Sequence, residues 1–156
     1  MIFCHSCERI AVLSVYFIMN MVYSLRRFAV EQVLRNLTLE FFGKGRHKIE
    51  PEKLFQLEEA FLLDVRSKEE AGAVSINMTC IPNVDCLNIP INEIPDRMQE
   101  IPKDRPIGVF CPANVRSAIT YAFLLSKGFS SVFVVEGGYA AVTDAIKPGK
   151  IRKLIS

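Results

Sequence analysis

Short apolar segments alternate with helical patterns over the last two thirds of the chain. Strands are predicted at residues 61–65, 86–89, 107–110 and 131–135. Helices are predicted between and after them, at residues 51–57, 94–100, 115–127 and 139–145. Short apolar strands separated by helices predict a parallel sheet that is covered on both faces. In sheets of this kind the functional residues gather at the carboxyl ends of the strands.

One cysteine lies at such a strand end. Cys111 directly follows the predicted strand at 107–110, and the helical pattern begins four residues later. Backbone N–H groups and the dipole at a helix N-terminus favour negative charge, so this position stabilises a thiolate. Arg116 places a cation on the same short loop, and Ser117 follows it. The pattern predicts a reactive thiolate in an anion cradle, whereas a free cysteine elsewhere is commonly a small buried apolar residue.

Five ordered motifs extend beyond this loop. They are Asp64-Val65-Arg66, Asn88-Ile89-Pro90, Pro102-Lys103-Asp104-Arg105-Pro106, Gly128-Phe129 and Gly137-Gly138. With the loop, they make residues 48–146 resemble the rhodanese-like (sulfurtransferase) family. The resemblance implies a three-layer α/β fold with a mostly parallel central sheet. It also implies transfer of a sulfane sulfur through a persulfide on Cys111.

The resemblance also assigns roles to individual residues. Cys111 and Arg116 would be catalytic, with Arg116 attracting an anionic donor, and the substrate-binding residues would be Ala113, Asn114, Val115 and Ser117. Asp64, Arg66, Gly137 and Gly138 would support the loop. Asn114 stands where the family commonly has glycine; asparagine tolerates left-handed backbone angles well. No metal or cofactor is implied.

The expected reaction moves sulfur from thiosulfate or a persulfide to a thiol or to cyanide, as a double displacement. The expected partners are therefore a small anionic sulfur donor and a thiol acceptor, which includes a protein acceptor. Two alternatives stay open: a binding or thiol-sensing module without turnover, and a sulfur carrier dedicated to one protein partner. Related phosphatases have a loop one residue longer than the four residues between Cys111 and Arg116. The loop length therefore argues against phosphatase activity.

The N-terminal part lies outside these motifs. We expect a helical extension at residues 1–45 and the rhodanese-like domain at residues 46–150. An apolar stripe has helical spacing, with Gly43 as its stop, and comprises Val30, Val33, Leu34, Leu37 and Phe41. Residues 10–25 carry no charge but are shorter than the roughly 20 residues that span a bilayer. Three interpretations compete: a helical extension packed on the domain or on a partner, a true start at Met19 or Met21, and a membrane anchor. Arg26 and Arg27 would keep an anchored domain on the cytoplasmic side.

Charge and cysteine content limit the remaining function classes. The formal net charge is +2 with acids and bases interspersed, which argues against a nucleic-acid partner. The five cysteines are an odd number and predict a reducing compartment, here the cytoplasm. Cys4 and Cys7 have the spacing of half a zinc site. No second pair of comparable spacing follows, although Cys80 and Cys86 could complete four ligands, so coincidence is the favoured interpretation. Cys80 is also a candidate resolving thiol, and Cys86 is expected to open a strand as a residue of the core.

Overall fold

In the part of the chain that the structure describes, five parallel strands form one central sheet. The computed structural model of the protein describes residues 29–76, 78 and 81–155. The strands are β1 (Lys48–Ile49), β2 (Ala60–Asp64), β3 (Val84–Asn88), β4 (Ile107–Phe110) and β5 (Val132–Val135). Their spatial order is β1-β5-β4-β2-β3, and every neighbouring pair is parallel. The predicted α/β class with a mostly parallel sheet is confirmed.

Helices connect the strands and flank the sheet. They are α1 (residues 29–36), α2 (Leu39–Gly43), α3 (Pro51–Phe55), α4 (Lys68–Ala73), α5 (Ile94–Arg97), α6 (Val115–Ser126), α7 (Gly138–Ala145) and α8 (Pro148–Ile155). A 3₁₀ turn, Met98–Glu100, continues α5. The predicted helix at 94–100 therefore tightens in its last turn, as helix ends often do.

Alternate residues along the strands build two hydrophobic cores, one on each face of the sheet. Phe61, Leu63, Val109 and Cys111 contribute to the core beneath α5 and α6. Leu62, Phe110 and Val135 contribute to the opposite core, together with residues of α3 and α7. Successive side chains along β4 thus point to opposite faces of the sheet. This register places the Cys111 side chain on the α6 side of the sheet.

The extension differs from the single helix that its apolar stripe predicts. Residues 37 and 38 are not helical, and they separate α1 from α2. The Thr38 side chain accepts a hydrogen bond from the Phe41 backbone N–H and caps α2. A threonine that caps a new helix in this way competes with continuation of the preceding one. The described part of the extension is therefore helical as predicted and ends at Gly43, but it consists of two helices.

The described part of the extension lies against the domain. Leu37 and Phe41 are partly buried against the core beneath α6, whereas Leu34 and Leu39 are exposed. The uncharged run at 10–25, both alternative start residues and the arginine pair lie outside the described residues. None of the helices in the described ranges combines the length and apolar character that crossing a bilayer requires.

Candidate active site

Cys111 lies between the end of β4 and the start of α6. Its residue surface is only 1% exposed, and its Sγ atom accepts a hydrogen bond from the Ser117 backbone N–H at 3.3 Å. Asn114 caps α6 with left-handed backbone angles (φ 62°, ψ −7°). That turn allows the loop to reverse above the sulfur and feed directly into the helix. The predicted arrangement of a thiol at a helix N-terminus is therefore present, with Ser117 supplying the N–H.

The loop exposes some of its residues and buries others. Ala113 and Val115 are exposed, whereas Ser117 is fully buried. Ser117 Oγ and Asn114 Oδ1 are buried and have no hydrogen-bond partner within the described part of the chain. Buried polar atoms normally have a partner, so two unpaired oxygens beside a thiol are notable. We call the surface formed by Ala113, Val115, Arg116 and Glu70 the mouth of the site.

The N-terminus of α7 fixes the loop from behind. Gly137 and Gly138 both have positive φ angles, 74° and 56°. A Cβ atom on Gly138 would lie 2.2 Å from the Pro112 carbonyl oxygen, which also accepts the Tyr139 backbone N–H at 3.2 Å. Only glycine permits this approach of the two backbones. The Gly-Gly motif thus lies directly against the loop that carries the thiol.

Asp64 and Arg66 form a buried ion pair at the neighbouring strand end. The Arg66 Nη2 and Asp64 Oδ2 atoms are 2.7 Å apart, and both side chains are almost completely buried. Arg66 also donates to the Val74 carbonyl oxygen at 2.9 Å, and its guanidinium lies over the Phe110 ring. The pair therefore joins β2 to the segment after α4 and supports the residue just before Cys111. Because the two charges neutralise each other, the pair presents no uncompensated charge to the mouth of the site.

Arg116 is paired with a residue that sequence reasoning did not single out. Its Nη1 and Nη2 atoms donate to the two Glu70 carboxylate oxygens at 2.5 and 2.9 Å. This bidentate contact lowers the pKa of the Glu70 carboxyl to about 2. It also raises the pKa of Arg116, to which the Cys111 sulfur makes a smaller contribution. The guanidinium thus donates hydrogen bonds to the Glu70 carboxylate, and Arg116 belongs to the loop that also carries the thiol.

A local signal for Glu70 was available in the sequence. Ser67 and Glu70 form a capping box at the start of α4: the Ser67 hydroxyl accepts from the Glu70 N–H, and the Glu70 carboxylate accepts from the Ser67 N–H. The Ser-x-x-Glu spacing is typical of this motif. It predicts the helix but not the contact of Glu70 with Arg116. That contact arises because α4 and α6 begin at the same edge of the sheet.

A second described thiol, Cys86, occupies a different environment. It lies in the middle of β3 and is exposed, so the expected position in the core was wrong. It lines a cavity of about 660 Å³ beside β3, together with Asp64, Ile76 and Met78. Loss of surrounding water raises the pKa of this thiol to about 11, and the nearby Asp64 carboxylate adds to the effect. A raised pKa disfavours the thiolate, which is the nucleophilic form of a cysteine. Cys4, Cys7 and Cys80 lie outside the described residues.

Comparison with known proteins places the chain in one family. The model of the rhodanese-like domain matches residues 50–145. A sulfurtransferase from Allochromatium vinosum is 36% identical over 90 residues, which cover 58% of this chain and 78% of that protein. A tRNA uridine(34) hydroxylase from Chlamydia abortus is 26% identical over 133 residues, covering 81% of this chain but only 40% of that protein.

A solved structure agrees with the sequence relatives. A rhodanese-related protein from Thermoplasma volcanium has 26% sequence identity and a TM-score of 0.52, and the match covers 65% of this chain and 95% of that one. The parallel sheet, the thiol at the end of its β4 strand and the family match lead to one assignment. The chain belongs to the rhodanese-like domain family.

Proposed function

We propose that the protein is a sulfurtransferase that carries a sulfane sulfur as a persulfide on Cys111. The donor is thiosulfate or a persulfide, and the acceptor is a thiol or cyanide. The observation that carries this proposal is the position of Cys111 at the end of β4, where its sulfur accepts the Ser117 N–H beneath the loop. A sulfurtransferase relative that shares 36% identity supports the same reaction class.

The proposed reaction consists of two displacements that balance without an added oxidant or reductant. The Cys111 thiolate attacks the outer sulfur of the donor, and the donor S–S bond breaks. With thiosulfate, sulfite leaves with the bonding electron pair. With an organic persulfide, the thiolate of the donor leaves with that pair and takes up the proton that the outer sulfur carried. The acceptor thiolate then attacks the outer sulfur on Cys111, forms a new persulfide and releases the Cys111 thiolate. The covalent intermediate divides the transfer into two similar steps.

The loop offers groups that suit an anionic outer sulfur. The hydroxyl of Ser117 is buried without an acceptor, and the backbone beyond Pro112 turns into the first turn of α6. Hydrogen-bond donors that are fixed in advance stabilise developing charge efficiently, because they need not reorganise during the reaction. Pro112 has no N–H, so the donors in this proposal come from Ala113 onward. Asn114, Val115 and Ser117 complete the proposed binding surface.

Sulfur loading followed by mass spectrometry tests the proposal. After incubation with thiosulfate or glutathione persulfide, we expect the peptide that contains Cys111 to gain one sulfur. Cyanide should remove it, because its carbon attacks the outer sulfur and thiocyanate leaves. Cys111→Ser should abolish loading, whereas the matched variant Cys86→Ser should retain it, since the raised pKa of Cys86 disfavours its thiolate. Loading that persists in Cys111→Ser would refute the assignment. A domain that never loads sulfur would favour a binding or sensing module.

A further inference from the structure

The basic side chains nearest the loop are already paired with carboxylates. Arg66 pairs with Asp64, Lys68 with Glu93 and Arg116 with Glu70. We expected Arg116 to attract an anionic donor, but both terminal nitrogens of its guanidinium are directed to Glu70. The pair has no net charge, so its attraction for a distant anion is weak. Glu70 therefore changes what the mouth of the site can select.

Glu70 is also held in place independently of Arg116. One of its carboxylate oxygens accepts the Ser67 backbone N–H at 2.9 Å, as part of the capping box of α4. Arg116 in turn belongs to the first turn of α6. The starts of α4 and α6 thus hold the two opposite charges next to each other, so little conformational freedom is lost when the pair forms. This preorganisation makes the neutral state of the pair the resting state of the mouth.

The remaining surface of the mouth is apolar. Val115 is 66% exposed, and Ala113 is exposed as well. Exposed apolar side chains beside a reactive group offer contacts to carbon atoms of a substrate. Thiosulfate is a compact inorganic dianion that has no such atoms. An organic persulfide has a carbon skeleton, and its reacting form, with a protonated outer sulfur, has no charge on the sulfur that is transferred.

We propose that Glu70 is a specificity-determining residue, which neutralises Arg116 and thereby favours organic persulfides over thiosulfate as sulfur donors. This inference rests on the proposed sulfurtransferase function for its donor class. The control of charge at the mouth rests only on the contacts between Glu70 and Arg116 and on the place of Arg116 in the loop that carries Cys111. The two parts are therefore tested by separate measurements.

The first measurement compares two alkylating reagents of similar size. Iodoacetate is an anion and iodoacetamide is neutral, and both react with the thiolate, so their rate ratio reports the local potential and not the fraction of thiolate. The rates are read on the Cys111 peptide by mass spectrometry, which excludes the other cysteines. Glu70→Gln should raise the iodoacetate to iodoacetamide ratio about three- to tenfold, because Arg116 becomes an uncompensated cation. Added salt should reduce this gain.

Three further variants complete the first measurement. Arg116→Ala should lower the ratio, because it leaves Glu70 uncompensated, and the double variant Glu70→Gln/Arg116→Ala should return close to the wild-type ratio. Glu69→Gln is the matched control: it removes the same charge from the adjacent position of α4, and the pKa of Glu69 is lowered by hydrogen bonds from its own backbone N–H and from Ser67. Its ratio should stay near that of the wild type.

Opposite results overturn the inference. A ratio that falls or stays constant in Glu70→Gln would show that Glu70 serves only to orient Arg116. A Cys111 that reacts with neither reagent in any variant would show that the mouth is closed and selects nothing.

The second measurement concerns the donors. The kcat/KM ratio of thiosulfate to glutathione persulfide should rise in Glu70→Gln by about the same factor as the alkylation ratio, and an unchanged ratio would refute the donor preference. If the alkylation ratio shifts as expected but no variant loads sulfur, the proposed function and the donor preference both fail. Control of charge by Glu70 would then be established on its own.

Discussion

Two arginine–carboxylate pairs lie at the same edge of the sheet, and they differ mainly in burial. The side chains of Arg66 and Asp64 are 3% and 4% exposed, whereas those of Arg116 and Glu70 are 32% and 42% exposed. Both contacts are bidentate or nearly so, with closest distances of 2.7 and 2.5 Å. Similar geometry therefore occurs in two very different dielectric environments.

Burial decides what each pair can contribute. Two buried charges have lost their hydration, so removing one partner leaves an uncompensated charge and destabilises the fold strongly. An exposed pair adds little to stability, because water and ions screen it. It can nevertheless change the electrostatic potential that an approaching reactant meets. The first pair is accordingly a structural element of the domain, and the second is suited to adjusting reactivity.

Removing Arg66 should have the largest effect. Arg66→Ala leaves the Asp64 carboxylate buried without its partner, so we expect a loss of about 3–5 kcal/mol in the free energy of unfolding. Urea denaturation measures this loss. The double variant Asp64→Asn/Arg66→Met removes both charges and should recover most of the stability. A loss below about 1 kcal/mol in Arg66→Ala would contradict the comparison, because that value is typical of an exposed pair.

Substitution of Gly138 should have the next largest effect, on activity. Gly138→Ala places a Cβ atom 2.2 Å from the Pro112 carbonyl oxygen, so the loop that carries Cys111 and Arg116 must shift. A displacement of about 1 Å at a reacting group can reduce a rate about 100-fold, and we expect sulfur loading to slow by about 10- to 100-fold. Gly43→Ala is the control, since nothing lies within 4 Å of its added Cβ. Loading at the wild-type rate in Gly138→Ala would show that α7 does not fix the loop.

Replacing Glu70 should have the smallest effect on stability. Its pKa is lowered from 4.5 to about 2 in the folded protein, so the charged form stabilises the fold above pH 4.5. That contribution is lost as the pH falls through about 2. The melting temperature of Glu70→Gln should therefore be slightly below that of the wild type at pH 7, and the difference should shrink below pH 4.5. A difference that is constant across this range would indicate packing instead of charge.

Much of the sheet could be predicted from the sequence because its strands are buried and apolar. The strand at 107–110 was predicted with the observed bounds, since both of its faces are covered and its residues are uniformly apolar or small. β1 was missed because its two residues, Lys48 and Ile49, are too few to show any periodicity. α8 was also missed: its lysines and arginine mask the apolar positions.

The candidate site was predictable where its residues are close in the chain. Cys111, Arg116 and Ser117 lie on one loop, and their order alone indicated a thiol at a helix start. The role of Glu70 was not predictable, because it lies 46 residues from Arg116 and only the packing of the fold brings them together. Local motifs thus indicate the candidate nucleophile. The charge that the nucleophile meets depends on tertiary contacts.

The contact between Pro112 and α7 sets an order of events during synthesis. The loop after β4 leaves the ribosome before Gly138 and Tyr139, yet its backbone rests on both of them. A nascent chain that has reached only Val135 already carries the thiol and both charges at the mouth, but it lacks the backbone that holds the Pro112 carbonyl. The support of the loop is therefore completed late, after all five strands of the described sheet have emerged. A chain that ends before α7 carries Cys111 on a loop that lacks this backbone contact.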